Sequence, residues 1–127
     1  MIGTMGIVAL GGALGAVMRY GVNIGTVHFI GHGFPWATLI VNIVGSFLMG
    51  LMIAKFSQMN VVSQELRIFC MTGFLGAFTT FSTFSLDFVT LWERGEMMQA
   101  LGYMLVSVVV SILALFLALW IMRGITS

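Results

Sequence analysis

Charge is scarce in this sequence: five Lys/Arg and four Asp/Glu make up 7% of 127 residues, against roughly a quarter in soluble domains. With 60% of its residues hydrophobic, such a chain cannot cover its apolar surface in water. Cys70 is the only cysteine, which excludes an intrachain disulfide and a cysteine metal cluster. Its place inside an apolar stretch suits a small packing residue. No Asp or Glu precedes Glu65, so the first half of the chain carries no carboxylate that could relay protons. No nucleophile with its base can be assembled from these residues, so an enzyme is not expected, and neither is a nucleic-acid partner.

What is present is four long apolar stretches, at 3–25, 36–56, 66–92 and 97–122. Each is long enough to cross about 30 Å of hydrocarbon as a helix. The expected fold is an all-α membrane protein with four transmembrane helices in a single domain, residues 1–127. Trp36, Trp92 and Trp120 fall at helix ends, where an amphipathic ring prefers the headgroup level. The first stretch lacks a basic start and contains Arg19, so it is expected to stay in the mature protein. The 11 methionines are scattered over all four stretches and suit ordinary membrane packing. His28 and His32 fall in a Gly-rich loop between helices 1 and 2, and no further ligand is near to complete a metal site.

Lys55, Arg67 and Arg123 belong to one side of the membrane, Arg19 and Arg94 towards the other. Such a near balance orients a chain weakly, which allows insertion both ways up and an antiparallel homodimer with inverted halves. Three small-residue pairs offer close helix approach: Gly11 with Gly15, Gly21 with Gly25, and Ser46 with Gly50. They serve either a dimer or packing within one chain, because the motif does not name its partner.

The third stretch is the anomalous one, roughly 40 Å long if helical. Its run from Gly73 to Phe84 holds two glycines and several hydroxyl residues, which weaken helix. A break near mid-membrane is expected there, and such breaks line binding sites. Phe74, Phe78, Phe81, Phe84 and Phe88 share one helix face, a pattern that is usually plain packing. Thr79, Thr80, Ser82 and Thr83, however, interleave donors with ring edges, the positive part of the aromatic quadrupole. Asn42 is a polar amide inside helix 2, either an interhelical hydrogen bond or a donor to a passing ion. Tyr103, Ser107 and Ser111 lie four apart on helix 4, and form a hydroxyl track or bond back to the preceding turn.

The strings Gly15-Ala-Val-Met-Arg-Tyr20, Val41-Asn-Ile-Val-Gly-Ser-Phe47 and Gly76-Ala-Phe-Thr-Thr-Phe-Ser-Thr-Phe84 resemble the small bacterial fluoride channels of the Fluc or CrcB family. The resemblance implies two chains paired in opposite orientations in the cytoplasmic (inner) membrane, with two pores for passive fluoride efflux and hence fluoride resistance. It assigns the pore phenylalanines to Phe81 and Phe84, the helix 2 asparagine to Asn42, and adjacent hydroxyls to Ser82 and Thr83, with Thr80 beside them. It implies a structural sodium ion at the dimer centre, held by the backbone oxygens of Gly76 and Thr79 from both subunits, and no organic cofactor. Arg19 matches the family's helix 1 arginine and is expected near an aqueous vestibule, where it would raise the local anion concentration. Tyr103, Ser107 and Ser111 complete the expected fluoride pathway.

The residue chemistry suits a small, strongly hydrated anion. Amide and hydroxyl donors replace its water, and no lysine lies in the path to trap it, as conduction requires. The rival readings are a proton-coupled exporter, for which Asp87 is the only acid well inside an apolar stretch, and a structural subunit of a larger complex.

Overall fold

The computed structural model describes residues 1–59 and 63–126, all helix and turn with no strand among them. Helix α1 spans Ile2–Phe29 and α2 spans Trp36–Gln58. The third apolar stretch comprises α3 (Gln64–Arg67), a π-helical segment (Ile68–Leu75), α4 (Gly76–Phe78) and α5 (Phe81–Glu93). Helix α6 spans Met97–Thr126. With Gln64–Glu93 taken as one run, the described residues form four spans long and apolar enough to cross a membrane.

Helix α1 outlasts its expected end at residue 25 by four residues, to Phe29. Gly25 does not stop it, because hydrocarbon offers a freed backbone group no other partner. The stop is Gly31 (φ 106°), where the N–H groups of Ile30 and Gly31 both donate to the Thr26 carbonyl, at 2.8 and 3.1 Å. His28 therefore sits on the helix and not in the loop with His32, and both side chains are exposed. Gly95 (φ 81°) ends α5 as well, its N–H donating to the Trp92 carbonyl at 3.1 Å and that of Glu96 to the Leu91 carbonyl at 3.0 Å, and α6 turns back after it.

Two helix pairs make up the bundle: α1 lies along the π-helical segment and α4, and α2 lies along α6. Missing side chains set both approaches. A Cβ at Gly11 would stand 2.6 Å from the Phe69 carbonyl oxygen, and one at Gly73 3.0 Å from that of Val8. On the other pair, a Cβ at Gly50 would meet the Leu115 oxygen at 2.6 Å. These glycines thus serve packing within the chain, whereas Gly21 and Gly25 face nothing within 4 Å. The apolar core lies in two clusters, Leu39, Leu91, Ala100 and Tyr103 in one, Val41, Leu75 and Phe78 in the other.

Basic residues mark the ends. Arg67 donates to the Phe56 carbonyl at 3.3 Å and lies 5.8 Å over the Phe56 ring. Arg94 donates to the Gly33 carbonyl (3.2 Å) and pairs with Glu96 (3.3 Å). Arg19 is not an end residue. It reaches across to Ala77, so the near balance of orienting charges becomes Lys55, Arg67 and Arg123 against Arg94 alone.

Candidate functional site

Between α4 and α5 lie two extended residues, Thr79 (φ −86°, ψ 159°) and Thr80 (φ −155°, ψ 126°). Extended backbone inside an apolar bundle must find partners for its polar groups. Thr79 N–H and its hydroxyl both donate to the Leu75 carbonyl, at 3.0 and 2.9 Å. Thr80 is satisfied from another helix: its N–H donates to Asn42 Oδ1 at 2.8 Å, and its carbonyl accepts from Asn42 Nδ2 at 3.0 Å. Asn42 thus partners Thr80 as a neighbouring strand would. Gly45, one turn further along α2, leaves the space that the Thr79 methyl group fills.

Thr80 also caps α5. Its hydroxyl accepts from the Thr83 N–H at 3.3 Å and donates to Thr83 Oγ1 at 3.1 Å, which satisfies one orphan donor of the new helix. On the other side Arg19 Nε donates to the Ala77 carbonyl at 3.1 Å, placing a cation on the C-terminal end of α4.

Cavities flank this extended step. One, of about 390 Å³, is lined by Asn42, Ser46, Thr79, Thr80, Phe81, Phe84, Ser107 and Ser111 among others. Ser107 and Ser111 have buried hydroxyl oxygens with no hydrogen-bond partner among the described residues. They do not bond back to the preceding turn, so two buried donors on residues that line the cavity are unspent, a costly arrangement. Phe81 is 77% exposed in the single chain, and its ring centroid lies 5.6 Å from that of Phe84. Phe84 is anchored, with Tyr103 at 5.2 Å behind it.

Across the step, a cavity of about 230 Å³ takes in Arg19, Asn23, Thr38, Thr80 and Thr83. It shares Asn23, Thr38 and Thr83 with another of about 230 Å³ that continues past Asp87 and Thr90 to His32 and Arg94 at the bundle end. A polar crevice therefore runs from that end to the foot of Thr80, with Arg19 at its inner limit.

Residues 6–119 match the family described as "CrcB-like protein, Camphor Resistance (CrcB)". The chain belongs to the CrcB family. A Mesorhizobium japonicum protein named "Fluoride-specific ion channel FluC" is 51% identical over 93% of this chain and 94% of its own length. Proteins of the same name from Paracoccus denitrificans (53%, over 92% of each chain) and Agrobacterium fabrum (50%, over 93% and 94%) are comparably similar.

In this CrcB-family chain, Asn42, Thr80, Phe81, Phe84, Ser107 and Ser111 converge on one cavity, and Arg19 and Thr83 on its neighbour. Ser82 is exposed and lines neither. Tyr103 is 1% exposed, and its hydroxyl donates to Asp87 Oδ2 at 3.1 Å instead of facing the cavity of Ser107. Thr38 has no role in the sequence reading and Asp87 only that of the acid a proton-coupled exporter would need, although Thr80, Thr83, Asp87 and Thr90 recur at helical spacing and trace one polar stripe.

Proposed function

We propose that this chain forms a fluoride-selective channel for passive efflux, two copies pairing in opposite orientations in the bacterial inner membrane to give two pores. The observation that carries the reading is one cavity lined by Asn42, Phe81, Phe84, Ser107 and Ser111, with the buried hydroxyls of both serines unpartnered. Modest donors and positive ring edges replace an anion's water without a fixed counter-charge that would hold it. Arg19, at the inner limit of the polar crevice, draws anions inward. An inside-negative potential drives fluoride outward by about 2.3 kcal/mol per charge per 100 mV, so no pump is needed.

The extended step at Thr79 and Thr80 is, in this reading, the mid-membrane break, and a sodium ion sits there on the dimer axis. The donors fit. The N–H that a continuous helix would give to Gly76 goes from Thr80 to Asn42, and the one due to Thr79 goes from Thr83 to the Thr80 hydroxyl. Both carbonyls are thereby spared for a hard cation, which takes oxygen ligands, and Gly76 is exposed where a second subunit could add its own pair.

Purified chain in liposomes, loaded with fluoride and chloride and monitored by ion-selective electrodes without a proton gradient, tests the function. Fluoride is expected to empty rapidly while chloride stays. Retention of both ions by folded protein overturns the channel.

Antiparallel pairing predicts that three lysines added at the end of Lys55 and Arg123, where basic residues already outnumber Arg94, force one orientation and abolish flux when that variant is expressed alone. Activity from a uniformly oriented variant, shown by protease protection, would refute it.

A further inference from the structure

We infer that Asn42 is a positioning residue that keeps the Gly76 carbonyl open for the cation, a role separate from any contact with fluoride. The inference rests on the sodium reading above. In an unbroken helix the Thr80 N–H lies four residues beyond Gly76 and bonds its carbonyl. Here that N–H is 2.8 Å from Asn42 Oδ1, with the Thr80 carbonyl held by Asn42 Nδ2 at 3.0 Å. Only a side-chain amide, or a protonated acid, offers acceptor and donor side by side. Take it away and the Thr80 N–H is left unpaired, and rewinding the step into helix, with that N–H on the Gly76 carbonyl, satisfies it, because a buried N–H left alone is costly.

Packing does not hold Gly76 away from that bond. The residue is exposed, and a Cβ there would meet nothing closer than the Met71 carbonyl at 3.5 Å. The Thr79 carbonyl is different, since the Thr80 hydroxyl diverts the Thr83 N–H without help from Asn42. Loss of Asn42 therefore removes one of each subunit's two carbonyl donors and leaves the other.

Acceptor and donor can be separated by substitution. Asn42→Asp keeps an oxygen for the Thr80 N–H whether the acid is ionised or protonated, whereas Asn42→Leu keeps the volume and loses the acceptor. The experiment is the thermal stability of the purified full-length dimer in detergent as sodium chloride replaces N-methylglucamine chloride at constant ionic strength. For the unaltered protein, melting temperature is expected to rise saturably with sodium. Asn42→Asp should keep the sodium half-point within about threefold, and Asn42→Leu should raise it about tenfold or more, the scale of losses when a ligand's supporting residue is removed.

A wild-type half-point in Asn42→Leu, or a tenfold rise in Asn42→Asp, overturns the positioning role. Should Asn42→Leu fail to fold, the Asn42→Asp arm still decides. An unaltered dimer indifferent to sodium overturns the sodium reading itself and this role with it. That outcome is distinct from a dimer that responds to sodium equally with and without the amide.

Discussion

Phe81→Ile is expected to cut fluoride flux through reconstituted protein about tenfold or more while leaving the chain folded. Phe81 is 77% exposed in the single chain, so the exchange touches no core contact within it. What it removes is an aromatic ring lining the same cavity as Ser107 and Ser111, whose buried hydroxyls are unpartnered. An aliphatic side chain of similar bulk excludes water as well but has no quadrupole to offer an anion. A barrier raised by about 1.4 kcal/mol suffices for a tenfold slower crossing. Phe84→Ile should lower flux too, with a stability cost of about 1–3 kcal/mol, because its ring packs on Tyr103 at 5.2 Å and on the Leu39 cluster. Efflux from liposomes together with size-exclusion chromatography checks both. Unchanged flux in both variants would sink the role given to the rings.

The four spans were legible in the sequence because length and apolarity alone decide whether a segment can cross a bilayer. Their ends were less so. The first stretch was expected to end at residue 25 and runs on to Phe29, since a glycine stops a helix only where the chain has somewhere to turn, and that place is Gly31. Likewise, the run from Gly73 to Phe84 was readable as poor helix, yet the extended backbone is confined to Thr79 and Thr80. Its position is set by Asn42, 38 residues away in sequence, and no local pattern carries that partnership. The wide winding of Ile68–Leu75 had no signal at all.

Pairing of small residues was ambiguous for the same reason. Gly11 and Gly15 carry the spacing that Gly21 and Gly25 carry, but only the first pair meets another helix within the chain. The polar stripe of Thr80, Thr83, Asp87 and Thr90 was visible at helical spacing and went unused. Its meaning depends on Tyr103, whose hydroxyl reaches Asp87 from α6. Function proved easier to read than geometry, since the strings that carry it are short, contiguous and rich in donors.

Gly15→Ala is the smallest substitution with the largest expected structural effect, a loss of more than about 3 kcal/mol and with it most of the folded protein. A Cβ at Gly15 would overlap the Phe74 carbonyl oxygen and stand 3.0 Å from the Phe78 nitrogen and 3.1 Å from the Phe74 carbonyl carbon. All three are backbone atoms, which cannot swing aside as a side-chain end can, so the cost exceeds the usual 1–3 kcal/mol of an overpacked core. Relief requires α1 to move off the π-helical segment and α4. That motion carries Arg19, one turn further on, away from the Ala77 carbonyl it holds at 3.1 Å. Gly21→Ala supplies the comparison on the same helix, for nothing lies within 4 Å of its added methyl group. Fluorescence-detected size-exclusion of both variants in detergent should show Gly21→Ala with normal folded yield and Gly15→Ala with little. Equal yields would mean that α1 is not held by this close contact, and that Arg19 owes its place beside α4 to something else.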